Sequence, residues 1–239
     1  MVINMKTKKL IFLIALALIT LTSAFFATIY FNDIQLYSYM PDEYRIDGDD
    51  LIVCYKPVIY LYPQEETQVS VKLDVSDFTV TYPEYNDGWN VTARPDGTLF
   101  TEDGGEYSYL FWEAKTDAEY DFSEGFCVKG EDTAEFLRRA LSAQGLTPRE
   151  YNEFIVYWYP LMKDNAYNVI SFQTTAYEQG AALSVTPKPD AVKRVFMAYY
   201  ASDKPVELPA QELCGFEREG FTVVEWGGTQ ISFQERNTP

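Results

Sequence analysis

The chain contains no histidine. That absence removes Ser-His-Asp and Cys-His mechanisms, histidine-ligated catalytic zinc and the usual general base near pH 7. Any catalysis would have to rest on carboxylates, Lys, Tyr or Cys. Cysteine is scarce too. Cys54, Cys127 and Cys214 lie far apart and lack C-x-x-C spacing, which disfavours a zinc site. In an oxidising compartment two of them can pair in any of three ways; three unpaired thiols fit the sequence equally well. No metal or cofactor is expected. Basic residues are few, 19 against 36 acidic, for a formal charge of −17. Residues 1–30 hold Lys6, Lys8 and Lys9 and no acid, so the remainder has 16 basic and 36 acidic residues, a net −20. A surface this acidic repels phosphate backbones and anionic headgroups, which argues against nucleic acid as a partner.

What the chain does have begins with a long apolar run. Leu10–Tyr30 is 21 residues without a charge. A helix of that length covers roughly 31 Å, the thickness of a bilayer's hydrocarbon core. With three lysines ahead of it, the run predicts a single-pass anchor, N-terminus cytoplasmic and residues 32–239 outside the cell. The alternative is a signal peptide cut near Ala24, releasing a secreted protein. Residues 32–52 form an acidic connector, and its Asp47-Gly48-Asp49-Asp50 cluster reads as a solvated turn because calcium-loop spacing is missing.

Beyond the connector the chain reads as α+β. Lys56–Pro63, KPVIYLYP, is apolar on both alternating faces, with Val58, Tyr60 and Tyr62 one way and Ile59 and Leu61 the other. This predicts a central strand covered on both sides. Residues 53–125 alternate as short strands, among them Val69–Val75, Phe78–Tyr82, Trp89–Ala93 and Tyr107–Trp112. Turn signals such as Asn86-Asp87-Gly88 and Pro95-Asp96-Gly97 separate them, and the spacing predicts an antiparallel, sandwich-like region.

In 126–239 the period changes. Asp132 is placed to cap a helix stopped by Gly145, and Thr147-Pro148-Arg149-Glu150 opens a second helix that ends near Pro160. Strands return at Tyr167–Phe172, Ala181–Val185, Val192–Tyr200, Phe221–Trp226 and Ile231–Phe233, with Gly227-Gly228 read as a strand-ending turn. A helical pair packed on a mostly antiparallel sheet follows, joined to the first region as one unit.

Several blocks carry a resemblance: KPVIYLYP at Lys56–Pro63, TYPEYNDGWNVTARPDGTL at Thr81–Leu99, EYSYLFWE at Glu106–Glu113, NEFIVYWYP at Asn152–Pro160 and GFTVVEWGG at Gly220–Gly228. Together they resemble an uncharacterised family of bacterial secreted or membrane-anchored proteins, over about residues 54–232. The resemblance implies a bacterial envelope protein folding as one continuous unit. It transfers no activity and no catalytic residue. Cys127, in GFCVKG, stands where the pattern has a plain apolar residue, which weakens a shared disulfide.

Two sets of residues are candidates for function. Glu225 shares a strand face with Phe221 and Val223, and burial would raise its pKa toward that of a general acid. Its structural reading is an ion pair with a basic group such as Lys56 or Arg194. Glycoside hydrolysis would need a second carboxylate, and Glu84, Glu113, Glu150, Glu153 and Glu219 are possible partners. The other set is aromatic: Tyr82, Tyr85, Trp89, Tyr107, Tyr109 and Trp112 come from one short β-rich stretch, and alternation places about half of them inside. Tyr85, Trp89, Tyr109 and Trp112 are the candidate ligand-binding rings, able to stack on sugar or peptide. The expectation is a non-enzymatic binding or structural module for cell-wall glycan or an envelope protein. A carboxylate-dependent glycan hydrolase using Glu225 is the alternative.

Overall fold

The computed structural model describes residues 52–116 and 118–231, which fall in one compact unit. The expected anchor at Leu10–Tyr30, residues 32–51 of the acidic connector with its Asp47–Asp50 turn, and residues 232–233 of the expected last strand lie outside them; Ile52 already belongs to a strand, and Ile231 does not. Among the described residues no helix is long and apolar enough to cross a membrane.

The first seven strands are β1 (Ile52–Tyr62), β2 (Thr67–Asp74), β3 (Phe78–Tyr82), β4 (Trp89–Ala93), β5 (Leu99–Phe100), β6 (Glu106–Tyr107) and β7 (Leu110–Thr116). Then come β8 (Phe126–Lys129), helices α1 (Thr133–Ala143) and α2 (Pro148–Met162), β9 (Tyr167–Phe172) and a short helix α3 (Thr174–Gly180). The series closes with β10 (Ala182–Thr186), β11 (Ala191–Ser202) and β12 (Thr222–Gln230). One sheet has seven strands in the order β3-β7-β1-β12-β11-β9-β8; the other has five, in the order β10-β2-β4-β5-β6. The larger sheet is mixed, because β11 and β12 run parallel while its other pairs are antiparallel.

Three layers result, with the seven-stranded sheet in the middle. Ile59 and Leu61 of β1 face the five-stranded sheet, in a core with Val71, Trp89, Val91, Leu99 and Trp112. Val58 and Tyr60 face the helices, in a second core with Leu137, Phe154, Trp158, Tyr199 and Trp226. All four of these β1 residues are fully buried. The two-faced pattern of KPVIYLYP is therefore the pattern of a strand between two cores, each buried large side chain contributing about 1.5–3 kcal/mol.

The sandwich is not confined to the first half of the chain. β10 joins the smaller sheet beside β2, and four strands from beyond residue 125 complete the larger one. Local alternation marks strands but carries no record of which sheet each one joins.

The helix signals hold unevenly. Thr147 and Glu150 form the capping box, the Thr147 backbone N–H donating to Glu150 Oε2 at 2.8 Å. Asp132 stands at the N-cap of α1, as the last residue of a 3₁₀ turn, Gly130–Asp132, but makes no side-chain cap bond. α2 runs past Pro160 to Met162, since a proline in the last turn removes one bond without ending the helix at once.

Gly227 and Gly228 lie inside β12 rather than in a turn. A Cβ on Gly227 would stand 3.0 Å from Pro57 Cγ, and one on Gly228 would stand 2.6 Å from the Met197 carbonyl oxygen and 2.8 Å from the Trp158 ring. The glycines let the β1 bulge and α2 press onto the sheet.

Cys127 is half-buried and Cys214 exposed, and both are free thiols. The side chain of Cys54 is outside what is described.

Candidate functional site

Glu225 is fully buried between the two sheets. Its Oε1 accepts from Trp112 Nε1 and from the Tyr177 hydroxyl, both at 2.9 Å, and Oε2 accepts from Arg194 Nε. Arg194 faces Glu225 across the parallel β11–β12 pair, donates through Nη1 to the Ala181 carbonyl at 2.6 Å, and lies over the Tyr177 ring at 4.5 Å. Burial alone would lower the pKa of Arg194, but the Glu225 charge and Tyr177 outweigh it and hold the guanidinium protonated. The structural reading of Glu225 is the one formed, with Arg194 as the partner.

This carboxylate ties β7, β11, β12 and α3 together and has no exposure of its own, while its partner Arg194, 5% exposed, borders an open space of about 520 Å³ with Glu178, Leu183 and Val192. The space lined by Trp112, Tyr177 and Ala181 measures about 10 Å³, room for about one water at most. The proposed second carboxylates are elsewhere. Glu113 and Glu153 serve the helix side of the sheet, Glu150 is paired with Arg218 at 2.5 Å, and Glu84 and Glu219 are exposed.

The candidate aromatic rings divide between core and surface. Trp89 and Trp112 are 2% and 1% exposed, with their indole N–H groups donating to the Pro83 carbonyl at 2.8 Å and to Glu225. Tyr85 is half-buried, packs edge-on against Trp89, and its hydroxyl bonds the backbone N–H and carbonyl of Leu73. These three rings fill the sandwich and offer no stacking face comparable to a surface ring. Tyr109 is half-buried on the other side of the larger sheet, 5.5 Å edge-on from Tyr60.

That other side carries an open shelf. Tyr82 pairs with Phe111 and Val80 with Glu113 across β3 and β7, so each pair shares a face. Phe111 packs on the helix-side core, which places Val80 and Tyr82 on the helix side as well. They are 39% and 62% exposed there. As the last residue of an edge strand, Tyr82 also meets Tyr107 of the smaller sheet edge-on, 5.2 Å between ring centroids. A register shift between Phe78 and Val80 sends Phe78 to the opposite face, against Trp112. Strict alternation would have kept Phe78, Val80 and Tyr82 together, so the bulge decides which aromatics reach the surface.

Lys56 forms the inner wall of the shelf. It sits in a bulge of β1, where pairing with both neighbours shifts before Val58, and its φ is +51°. For a residue with a Cβ this left-handed backbone costs on the order of 1–3 kcal/mol. The Glu113 carboxylate secures it, Oε1 accepting from the Lys56 backbone N–H at 3.2 Å. Lys56 Nζ stands 5.8, 5.7 and 5.5 Å from the centroids of Tyr109, Phe111 and Tyr157. Next to it, the Tyr60 hydroxyl donates to Glu153 Oε2 at 2.9 Å. Burial raises the pKa of Glu113, opposed by the Lys56 backbone N–H and ammonium. Burial also raises Tyr109, with the Glu153 charge adding to it.

Four of the sequence blocks converge here: KPVIYLYP through Lys56 and Tyr60, EYSYLFWE through Tyr109, Phe111 and Glu113, NEFIVYWYP through Glu153 and Tyr157, and GFTVVEWGG through Gly227 against Pro57. Sequence reasoning named Tyr109 but missed Lys56, Phe111 and Tyr157 as a group. A Lys-Pro start to an otherwise apolar strand was the available signal. Among the described residues no three His, Cys, Asp or Glu side chains gather to hold a metal ion.

Fold and site together define an α+β protein of three layers with an internal ion pair and an open aromatic face. Over 70 residues the chain is 54% identical to a Butyrivibrio fibrisolvens protein described as "Uncharacterized protein in bglA 3'region". The match covers 28% of this chain and 68% of that one, and the chain belongs to that bacterial protein's family. No family model matches, and no solved structure matches.

Proposed function

We propose that the chain is a bacterial cell-envelope protein, anchored through residues 10–30 with residues 32–239 outside the cell, that acts as a non-enzymatic binding module for cell-wall glycan or an envelope protein. The observation that carries this reading is the exposed edge strand β3, where Tyr82 is 62% exposed beside the half-buried Phe111 of β7 and the Lys56 wall. Soluble ligands that stack on aromatic rings need such a face, with donors and acceptors at its rim. The rim here has the Lys56 ammonium and the Glu153 carboxylate. Support from the opposite side comes from Glu225, whose burial and three donors suit a structural role better than a general acid's.

The test is a pull-down of the protein against purified cell-wall polysaccharide and against an envelope-protein extract. Retention on either that is lost in Tyr82→Ala, with circular dichroism unchanged, is the expected result. Retention that survives Tyr82→Ala and Tyr109→Ala would place the binding surface elsewhere. For the anchor, the expected mature N-terminus precedes residue 10; one found at residue 25 would replace it with a cleaved signal.

A further inference from the structure

Charge, size and chemistry narrow what the shelf takes. Lys56 places an ammonium over three rings, and among the described residues no carboxylate is ion-paired with it. Lys56 is half-buried, and among the described residues no hydrogen bond takes its Nζ protons. Glu113 and Glu153 nevertheless stand close by, the first on the Lys56 backbone and the second on Tyr60. One cation between two carboxylates, in a chain of net −17, gives no positive field to draw a polyanion.

The shelf is also small. Tyr82 at 62% exposure, Val80 at 39% and the half-buried Tyr109, Phe111 and Tyr157 leave on the order of a few hundred Å² of side-chain surface, most of it from rings. A stable protein partner takes roughly 800 Å² from one side. A saccharide of a few units needs less, and its apolar C–H faces and hydroxyl rim match flat rings bordered by an ammonium and a carboxylate.

Resting on the binding-module reading above, we infer that the ligand is a neutral saccharide, laid across Tyr82 and Phe111, with Lys56 as a specificity-determining residue. Lys56 donates to ligand hydroxyl oxygens, and Glu153 accepts from hydroxyls at the same wall. The strained backbone at Lys56 fixes where that ammonium stands.

The experiment measures retention of the full-length protein, purified in detergent, on three matrices: a neutral β-glucan, polygalacturonate as an acidic polysaccharide, and an immobilised envelope-protein extract. The expected result is retention on the neutral polymer at least about tenfold above the acidic one. Tyr82→Ala should lower it about tenfold, and Lys56→Met should lower it several-fold while keeping the apolar stem over the rings. Circular dichroism and the unfolding midpoint of each variant show whether the fold is kept, and Val156→Ser, on the exposed face of α2, serves as a surface control with unchanged retention. Preference for polygalacturonate overturns the neutral-ligand inference and leaves the binding-module reading standing. Capture of an envelope protein with neither polymer retained does the same. Neutral-polymer retention that ignores both Tyr82→Ala and Lys56→Met removes the shelf as the site. No retention on any matrix overturns both readings.

Discussion

The two faces of the seven-stranded sheet treat their charged groups in opposite ways. On the sandwich side, Glu225 has three side-chain donors, no exposure and a space of about 10 Å³ beside it. On the helix side, Lys56 has three aromatic rings, partial exposure and a strained backbone. Both sites draw residues from distant parts of the chain. The first closes its polar groups on one another, all but the buried Arg194 Nη2, which has no partner among the described residues; the second turns Glu113 inward to the Lys56 backbone and leaves the Lys56 side chain part-exposed. A charged residue in a strand is thus a poor guide to chemistry until its partners and its access to solvent are known.

The largest effects should come from breaking the closed side. Glu225→Gln leaves Arg194 buried without its counter-charge and should destabilise the fold by about 3–5 kcal/mol, read from chemical denaturation. Replacing Arg194 and Glu225 together with Leu should cost clearly less than the two single changes summed, because the double change leaves no unpaired charge behind. Trp89→Ala should fall in a similar range, about 3–5 kcal/mol, through the cavity it opens.

Next is the seam between the faces. Gly227→Ala pushes a methyl group to 3.0 Å from Pro57 Cγ, and a loss of about 1–3 kcal/mol is expected. Because Pro57 follows Lys56 in the bulge, the same change should also weaken ligand retention, linking the two properties in one variant. Thr147→Ala, which removes half of the capping box of α2, should cost about 1 kcal/mol.

On the open side, Tyr82→Ala should change stability by no more than about 0.5 kcal/mol while abolishing most retention. Glu113 gives a pH signature. Its pKa is raised in the fold, so between the unfolded value near 4.5 and the raised value the folded state holds more protons than the unfolded one. Its contribution to stability therefore falls as pH rises through that window. Glu113→Gln removes this component, and the difference between wild-type and variant unfolding midpoints should grow in the variant's favour from about pH 4 upward before levelling. A difference that stays flat with pH would show that Glu113 is not held in this environment.

Much of the fold was legible because local chemistry decides it. KPVIYLYP declared a strand with two apolar faces, and it is the strand between the two cores. Thr147-Pro148-Arg149-Glu150 declared a helix start. Long-range pairing was less legible. The parallel β11–β12 pair requires the 203–221 connection, which is held by separate contacts, such as Gln211 bonding the backbone N–H and carbonyl of Phe172 and Arg218 reaching Glu150. None of these has a sequence pattern. The seven-residue helix α3, which supplies Tyr177 to Glu225, is too short to show a period. The site was half legible: about half of the candidate aromatics are inside, as alternation implies, but the bulge between Phe78 and Val80, which separates Tyr82 from Phe78, breaks that alternation.

The most direct test of the contrast between the two faces follows retention and bond cleavage together. Wild type, Tyr82→Ala and Glu225→Gln are each incubated with a panel of neutral cell-wall glycans, and the bound fraction and the released reducing ends are measured from the same samples. The predicted result is retention without release by wild type, loss of retention in Tyr82→Ala, and retention kept by whatever fraction of Glu225→Gln remains folded. Reducing ends released by wild type and absent from folded Glu225→Gln would contradict it, and would make the buried carboxylate the working part of the molecule.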